Sequence, residues 1–382
     1  CDKLAGSNRL VDIYAKQINI IKSQITIKTD RNTFDFLIVG AGIAGCLLAW
    51  RLKKAGKSVV LISNSKAPSA SAVAAGVINP VTGRWAVKSW RVDDLLPEAE
   101  RLYRTLEKEL NIDVYHPMPL RRFCKNKEDQ KRIGRRLRNL RYADVISDFH
   151  QAGDSPENIK DSYGSFDILR AAYVDLPKLL ESMRGSFRCV DTQFNHAALR
   201  RNLDCWEYKE FKALKVIFSE GAAMNSNPWF SILKSALTPI KGETLSFECR
   251  ELKLPRSIYH NGKWLIAYGG NRFRIGATYS QNFDGDGPSK SAAKELLDSV
   301  RTFAGEELWL DKEKQLAGIR PSTFDTRPLL GAHPTEAGLY LFNGLGSKGG
   351  SVAPLMSRHF AEYLIIGAQL DPEVDIKRFL NP

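Results

Sequence analysis

Apolar and polar positions change period along this chain, and the changes mark its elements. Residues 35–39 close an apolar run, Phe36, Leu37, Ile38 and Val39, that predicts a strand buried on both faces. After a glycine-rich stretch, Cys46, Leu47, Leu48, Trp50 and Leu52 recur at helical spacing, and residues 57–62 make a second apolar run. Strand, tight turn, helix and strand therefore follow within about 30 residues. Residues 244–247, 264–268 and 273–277 read as further strands of a mainly antiparallel sheet beside the parallel one. Between these regions Ile133, Leu137 and Leu140 predict one amphipathic helix, with Lys131, Arg132, Arg135, Arg136 and Arg138 on its other faces. The fold class is α/β, with an α+β second domain interleaved with the first.

Composition adds exclusions. The 382 residues are 43% hydrophobic and 26% charged, which rules out a disordered, collagenous or coiled-coil chain. The uncharged stretch 36–50 holds three glycines and is shorter than the roughly 18–20 apolar residues of a membrane span, so no transmembrane segment is expected. Six cysteines, at 1, 46, 124, 189, 205 and 249, form no CxxC pair. They read as free thiols in a reducing, cytoplasmic compartment, with neither disulfides nor a metal site expected. Residues 1–33 read as an extension, with 18–27 able to make a short amphipathic element. A start at Cys1 fits a fragment boundary or, less readily, a lipid-modified chain.

The net charge of +13 is uneven: residues 121–141 hold ten basic and two acidic residues. Such a face is either a solvated helix surface or a landing strip for phosphates.

Chemistry enters at Gly40-Ala41-Gly42-Ile43-Ala44-Gly45, a GxGxxG between a predicted strand and helix. Gly40 serves the turn, Gly42 lets backbone approach a pyrophosphate, with Ile43 and Ala44 opening the helix, and Gly45 lets helix lie close to strand. The acidic residue usual at the end of the second strand is replaced by Ser63-Asn64-Ser65, of which Ser63 and Asn64 are candidate ribose ligands. The motif predicts dinucleotide binding without choosing NAD or FAD.

Four blocks in order make that choice. After the fingerprint come 71–77 (SAVAAGV), 239–245 (PIKGETL) with 275–278 (IGAT), and then 318–321 (GIRP), 328–331 (PLLG) and 344–350 (GLGSKGG). Over 34–367 the chain resembles the flavin-dependent D-amino-acid oxidase and glycine oxidase superfamily. The resemblance implies a Rossmann-like FAD-binding domain (34–97, 165–230, 315–382) interleaved with a mainly antiparallel substrate domain (98–164, 231–314). It also implies FAD held non-covalently, since no histidine follows the fingerprint helix and no cysteine stands near Arg320. Ser71, Ala74, Ala75 and Gly76 would run beneath the flavin, 173–183 would carry the helix returning to the FAD domain, and Phe194 and Gly221 would face the nucleotide. Gly344, Gly346, Ser347, Lys348, Gly349 and Gly350 would form the turn at the flavin's anionic edge.

At the reacting end the resemblance makes Arg320 the clamp for a substrate carboxylate, in competition with simple pairing to Asp325. Lys348 would stabilise charge on the reduced ring. Tyr259 and Trp264 would complete the pocket, the tryptophan departing from the tyrosine of glycine oxidases, and Arg274 would either promote reaction with oxygen or be an ordinary exposed strand arginine. Three functions follow: an oxidase of a small carboxylated amine, passing electrons to oxygen or another acceptor; a relative of the oxidase half of the bifunctional tRNA 5-methylaminomethyl-uridine enzyme, with tRNA bound through 121–141; or a non-catalytic FAD-binding protein.

Overall fold

The computed structural model describes residues 32–67, 69–155, 159–305 and 308–380. Cys1 and the element expected at 18–27 lie outside the described residues.

The predicted strand–turn–helix–strand is present: β1 is Thr33–Val39, α1 is Ile43–Lys54 and β2 is Val59–Ser63. β1 is central. Its Phe36 and Ile38 enter one core with α1 and the helix Gly349–Ile366, while Leu37 and Val39 enter a second with Trp206, Tyr208 and Phe218. Successive residues point to opposite faces, so a continuous apolar run is what a doubly covered parallel strand requires. Five strands run parallel in the order Arg188–Asp191, β2, β1, Phe211–Phe218 and Leu339–Asn343. Leu199–Asn202, Cys205–Tyr208 and Leu329–Ala332 add antiparallel edges.

The second eight-stranded sheet runs Asp311–Thr323, Leu237–Glu248, Arg272–Gly276, Lys263–Gly269, Ser257–Asn261, Leu120–Phe123, Ser165–Ile168, Ile146–His150. It is antiparallel except where Ile258–His260 meet Leu120–Arg122. The helix Lys290–Ala304 covers one face, packing Leu296 and Val300 against Leu245, Phe273 and Tyr259. The other face turns Ile258, Trp264 and Ile266 toward the first domain.

Two expectations need correction. Residues 165–168 and 315–323 pair in the second sheet, and Val92–Leu110 packs on Gly349–Ile366 of the nucleotide layer. The expected boundaries at 98 and 315 therefore fall inside elements, and the one at 165 assigns a strand of the second sheet to the first domain. The basic segment is also not one helix: Arg121 and Arg122 lie on the strand Leu120–Phe123, the helix is Lys127–Leu137, and Leu140 stands 89% exposed after it. Arg121 is bound by Asp167 and Arg132 by Asp129, so part of the apparent charge is neutralised. Lys125, Lys127, Lys131, Arg135, Arg138 and Arg141 remain exposed.

The five described cysteines, Cys46, Cys124, Cys189, Cys205 and Cys249, are free thiols. No group of metal-ligating side chains and no helix long and apolar enough to cross a membrane occur among the described residues.

Candidate active site

Both sheets contribute to one cavity of about 1100 Å³. At its nucleotide end Gly40 has φ +101°, and a Cβ there would stand 2.3 Å from the Ser219 carbonyl oxygen. Gly45 lies behind the cavity wall: its Cβ would be 1.9 Å from the Gly40 carbonyl oxygen, so only glycine lets α1 approach β1. Gly42, Ile43 and Ala44 line the cavity. The first turn of α1 has neither a side-chain cap nor an acidic residue, which leaves positive partial charge at the opening. Ser71 Oγ accepts one of these amides, Ile43 N, at 3.2 Å. Arg184, which no sequence signal marks, lines the same end and donates twice to the Ala41 carbonyl at 3.0 and 2.7 Å.

Ser63 and Asn64 line the cavity as expected. One strand over from the end of β2, Asp191, opposite Ser63 in register, accepts the Ser65 amide and hydroxyl at 2.7 and 2.6 Å and is not among the residues lining the cavity. These bonds hold its carboxyl below the usual range. Phe194 lines the cavity and stacks on Tyr208, 4.2 Å between centroids. Gly221, at φ +61°, turns the chain beside it and accepts Asn343 Nδ2 at 2.9 Å.

The segment 71–76 is packed between two strands, Asp311–Thr323 on one side and Ala172–Val174 on the other. Residues Ala70–Val73 form one helical turn, a Cβ on Gly318 would stand 2.3 Å from Val73, and a Cβ on Gly76 would meet the Val174 carbonyl. Arg274 is not an exposed strand residue and does not line the cavity. It donates to the Val73 carbonyl at 2.6 Å and to Thr244 Oγ1 at 2.9 Å, clasping this loop to the substrate sheet.

Arg320 faces the cavity from the strand Asp311–Thr323. Its guanidinium lies over Gly242, where a Cβ would stand 2.0 Å from Nη2, and Nη1 donates to the Thr278 carbonyl at 3.3 Å. Asp325 is taken by Arg378 at 2.7 Å, so the competing pairing with Arg320 is not made. No carboxylate pairs with Arg320 among the described residues. Burial presses it below the ordinary guanidinium range, while Tyr279 nearby acts in the opposite sense.

Lys348 lines the cavity at the start of the helix Gly349–Ile366. Its Nζ donates to Thr82 Oγ1 and Ser89 Oγ, and burial, then Arg327, pull it below the usual amine range. Gly346, Ser347, Gly349 and Gly350 line the cavity with it; Gly344 does not, and packs instead on Thr323 and Leu329 at φ +74°.

Trp264 lines the cavity, whereas Tyr259 points to the opposite face, where its hydroxyl donates to the Pro255 carbonyl at 3.2 Å. The cavity residue on that strand is His260, directly opposite Trp264 in register. Burial, with Arg122 and Lys125 adding to it, pushes His260 down to about 3. An unfolded histidine titrates near 6.5, so the unfolded chain binds a proton there that the folded one does not. Stability is expected to fall as pH drops from about 6.5 toward 3, and His260→Gln should flatten the acid-side fall of the melting temperature.

Comparison with known proteins follows the same outline. Residues 35–363 match the family model described as DAO, FAD dependent oxidoreductase. The glycine oxidase of Bacillus subtilis is 23% identical over 350 residues, covering 84% of this chain and 90% of that protein. The bifunctional tRNA 5-methylaminomethyl-2-thiouridine biosynthesis protein MnmC of Marinobacter nauticus is 25% identical over 88% of this chain, which spans 56% of that protein. Among solved structures, the glycine oxidase of Geobacillus kaustophilus superposes with a TM-score of 0.76 at 21% identity, covering 91% and 98% of the two chains. The iminodiacetate oxidase of Chelativorans sp. BNC1 gives 0.72 at 24% identity, covering 90% and 98%.

Proposed function

The chain belongs to the DAO family of FAD-dependent oxidoreductases, and from that premise we propose that it oxidises a small carboxylated amine of the glycine or sarcosine type to the imine. The observation that carries this reading is Arg320, a buried guanidinium in the cavity without a carboxylate partner among the described residues. Two parallel hydrogen bonds to a carboxylate would satisfy it, a geometry lysine cannot copy.

The cavity fits FAD. The helices starting at Ile43 and Gly349 open into it with no N-cap side chain bonded to the first turn and no acidic first-turn residue, and Gly40 and Gly76 let neighbouring backbone close up around its wall. Gly42, Ile43 and Ala44 would hold the pyrophosphate, Ser63 and Asn64 the ribose, Phe194 and Gly221 the adenine side, and 346–350 the pyrimidine edge, without a covalent link. FAD supplies acceptance of a hydride from the carbon beside the amine. The chain's own part is to orient that carbon through Arg320, to exclude bulk with Trp264, and to offset developing negative charge with the helix start and Lys348. Sarcosine is expected to bleach the oxidised flavin anaerobically and dimethylamine, which lacks only the carboxylate, is not; equal bleaching by both would refute the carboxylate clamp.

One observation favours a second reading, with the amine carried on tRNA. The hairpin formed by Val81–Thr82 and Val87–Lys88 joins the cavity to the basic face: Thr82 and Gly83 line the cavity, Arg122 donates to the Gly83 carbonyl, and Trp85, half exposed, lies under both Arg84 and Arg132. A tryptophan flanked by guanidiniums beside exposed lysines and arginines suits a nucleic-acid strand. This reading predicts salt-dependent tRNA binding that Arg135→Glu with Arg138→Glu abolishes; binding unchanged by that charge reversal would remove it.

A further inference from the structure

Resting on the amine-oxidase reading, we infer that Lys348 enters the reaction as a neutral amine and is the base that takes the proton from the substrate's ammonium group. The carbon beside an ammonium cannot release a hydride to form C=N until the nitrogen has a lone pair. A carboxylated amine is protonated near neutral pH, so a group beside the clamp must accept that proton.

The surroundings of Lys348 suit the neutral form. A neutral amine has two N–H donors and one lone pair; Thr82 Oγ1 at 3.2 Å and Ser89 Oγ at 3.4 Å match the two donors. Ser89 Oγ itself donates to the Asn79 carbonyl at 3.2 Å, which leaves it an acceptor toward the lysine. No carboxylate pairs with Lys348 among the described residues, whereas Lys88, next to Ser89 in the chain, is held by Asp93 and Asp144. Lys348 is also the residue from which the 18-residue helix Gly349–Ile366 starts, at its positive end. The charged group acting on it is cationic, Arg327, itself 3.6 Å from Glu373, and the strand that carries Arg320 packs against the 346–348 turn. Burial acts in the same direction.

The step balances. The substrate N–H bond breaks and its proton forms a new N–H bond on Lys348 Nζ. The nitrogen lone pair becomes the C=N bond as the C–H bond breaks, and that hydrogen leaves with its electron pair for FAD. The substrate is oxidised by two electrons and FAD reduced by two. Lys348 is then cationic at the stage when negative charge develops beside it, which gives one residue both parts.

The test is the pH dependence of anaerobic flavin reduction in the full-length FAD-loaded protein, with Lys348→Met and Lys348→Arg compared to wild type. Arginine keeps the charge and cannot be deprotonated, so it separates a base from a fixed cation. Both variants are expected to retain FAD, to reduce it about 100-fold more slowly near pH 7, and to move the acid limb of the profile up to the substrate amine's own pKa. Added methylamine should restore part of the rate in Lys348→Met only. An unchanged acid limb in Lys348→Met, or a wild-type rate in Lys348→Arg, overturns the inference while leaving the amine-oxidase reading standing. A wild-type flavin that no carboxylated amine bleaches overturns both.

Discussion

Replacing Arg320 by alanine is expected to lower kcat/KM for a carboxylated amine by roughly 30- to 1000-fold, about 2–4 kcal/mol, the cost of removing one partner from a desolvated charged pair. The loss should appear in both substrate affinity and flavin reduction, because the carboxylate contact sets the position of the reacting carbon. Arg320→Lys should recover little of it: an ammonium offers no planar fork. The neighbouring strand provides an independent check. A Cβ at Gly242 would stand 2.0 Å from the Arg320 guanidinium, so Gly242→Ala should displace the clamp and reproduce much of the defect with Arg320 intact. Steady-state kinetics with sarcosine on wild type and on each of the three variants would read this directly.

The second large effect is expected at Gly45. Its substitution by alanine places a carbon 1.9 Å from the Gly40 carbonyl oxygen, a backbone atom that cannot swing away. Either α1 must shift from β1 or the turn must open, and both moves misplace the amides of Gly42, Ile43 and Ala44. An overpacking cost of about 1–3 kcal/mol expressed at this turn corresponds to a roughly 5- to 150-fold loss of FAD affinity. Gly185→Ala is the matched control, because a Cβ there meets nothing within 4 Å and the backbone is not in the left-handed region. Flavin content on purification and FAD titration of the apoprotein would separate the two. Retention of FAD by Gly45→Ala at wild-type affinity would remove the packing account of the turn.

Legibility in the sequence divides along the range of the interactions. The fingerprint unit was readable because its logic is local: a doubly buried strand, three glycines and a helix lie within 22 residues, and Gly40 and Gly45 have the steric reasons expected of them. Arg320 and Lys348 were readable through short motifs and Trp264 through the family resemblance, and all three line the cavity. Tyr259 was misplaced by one residue. Strand period is two, so the neighbour His260 takes the cavity face, and only the register of the hairpin, which sets His260 against Trp264, reveals it. Arg274 pointed to chemistry by position, yet its partners Val73 and Thr244 come from distant segments and make it a clasp. The basic run 121–141 misled because charge and helical spacing do not disclose that Arg121 and Arg122 belong to a strand. Arg184 and the hydroxyls that hold Lys348 had no local signal; Thr82 and Ser89 reach the lysine across more than 250 residues of chain.

The most direct test of the account is the visible spectrum of the purified protein before and after anaerobic addition of sarcosine or glycine. The account predicts an oxidised-flavin spectrum that bleaches on addition, together with acid-released FAD. A protein that binds no flavin, or whose flavin stays oxidised with every carboxylated amine and with modified tRNA, would contradict it.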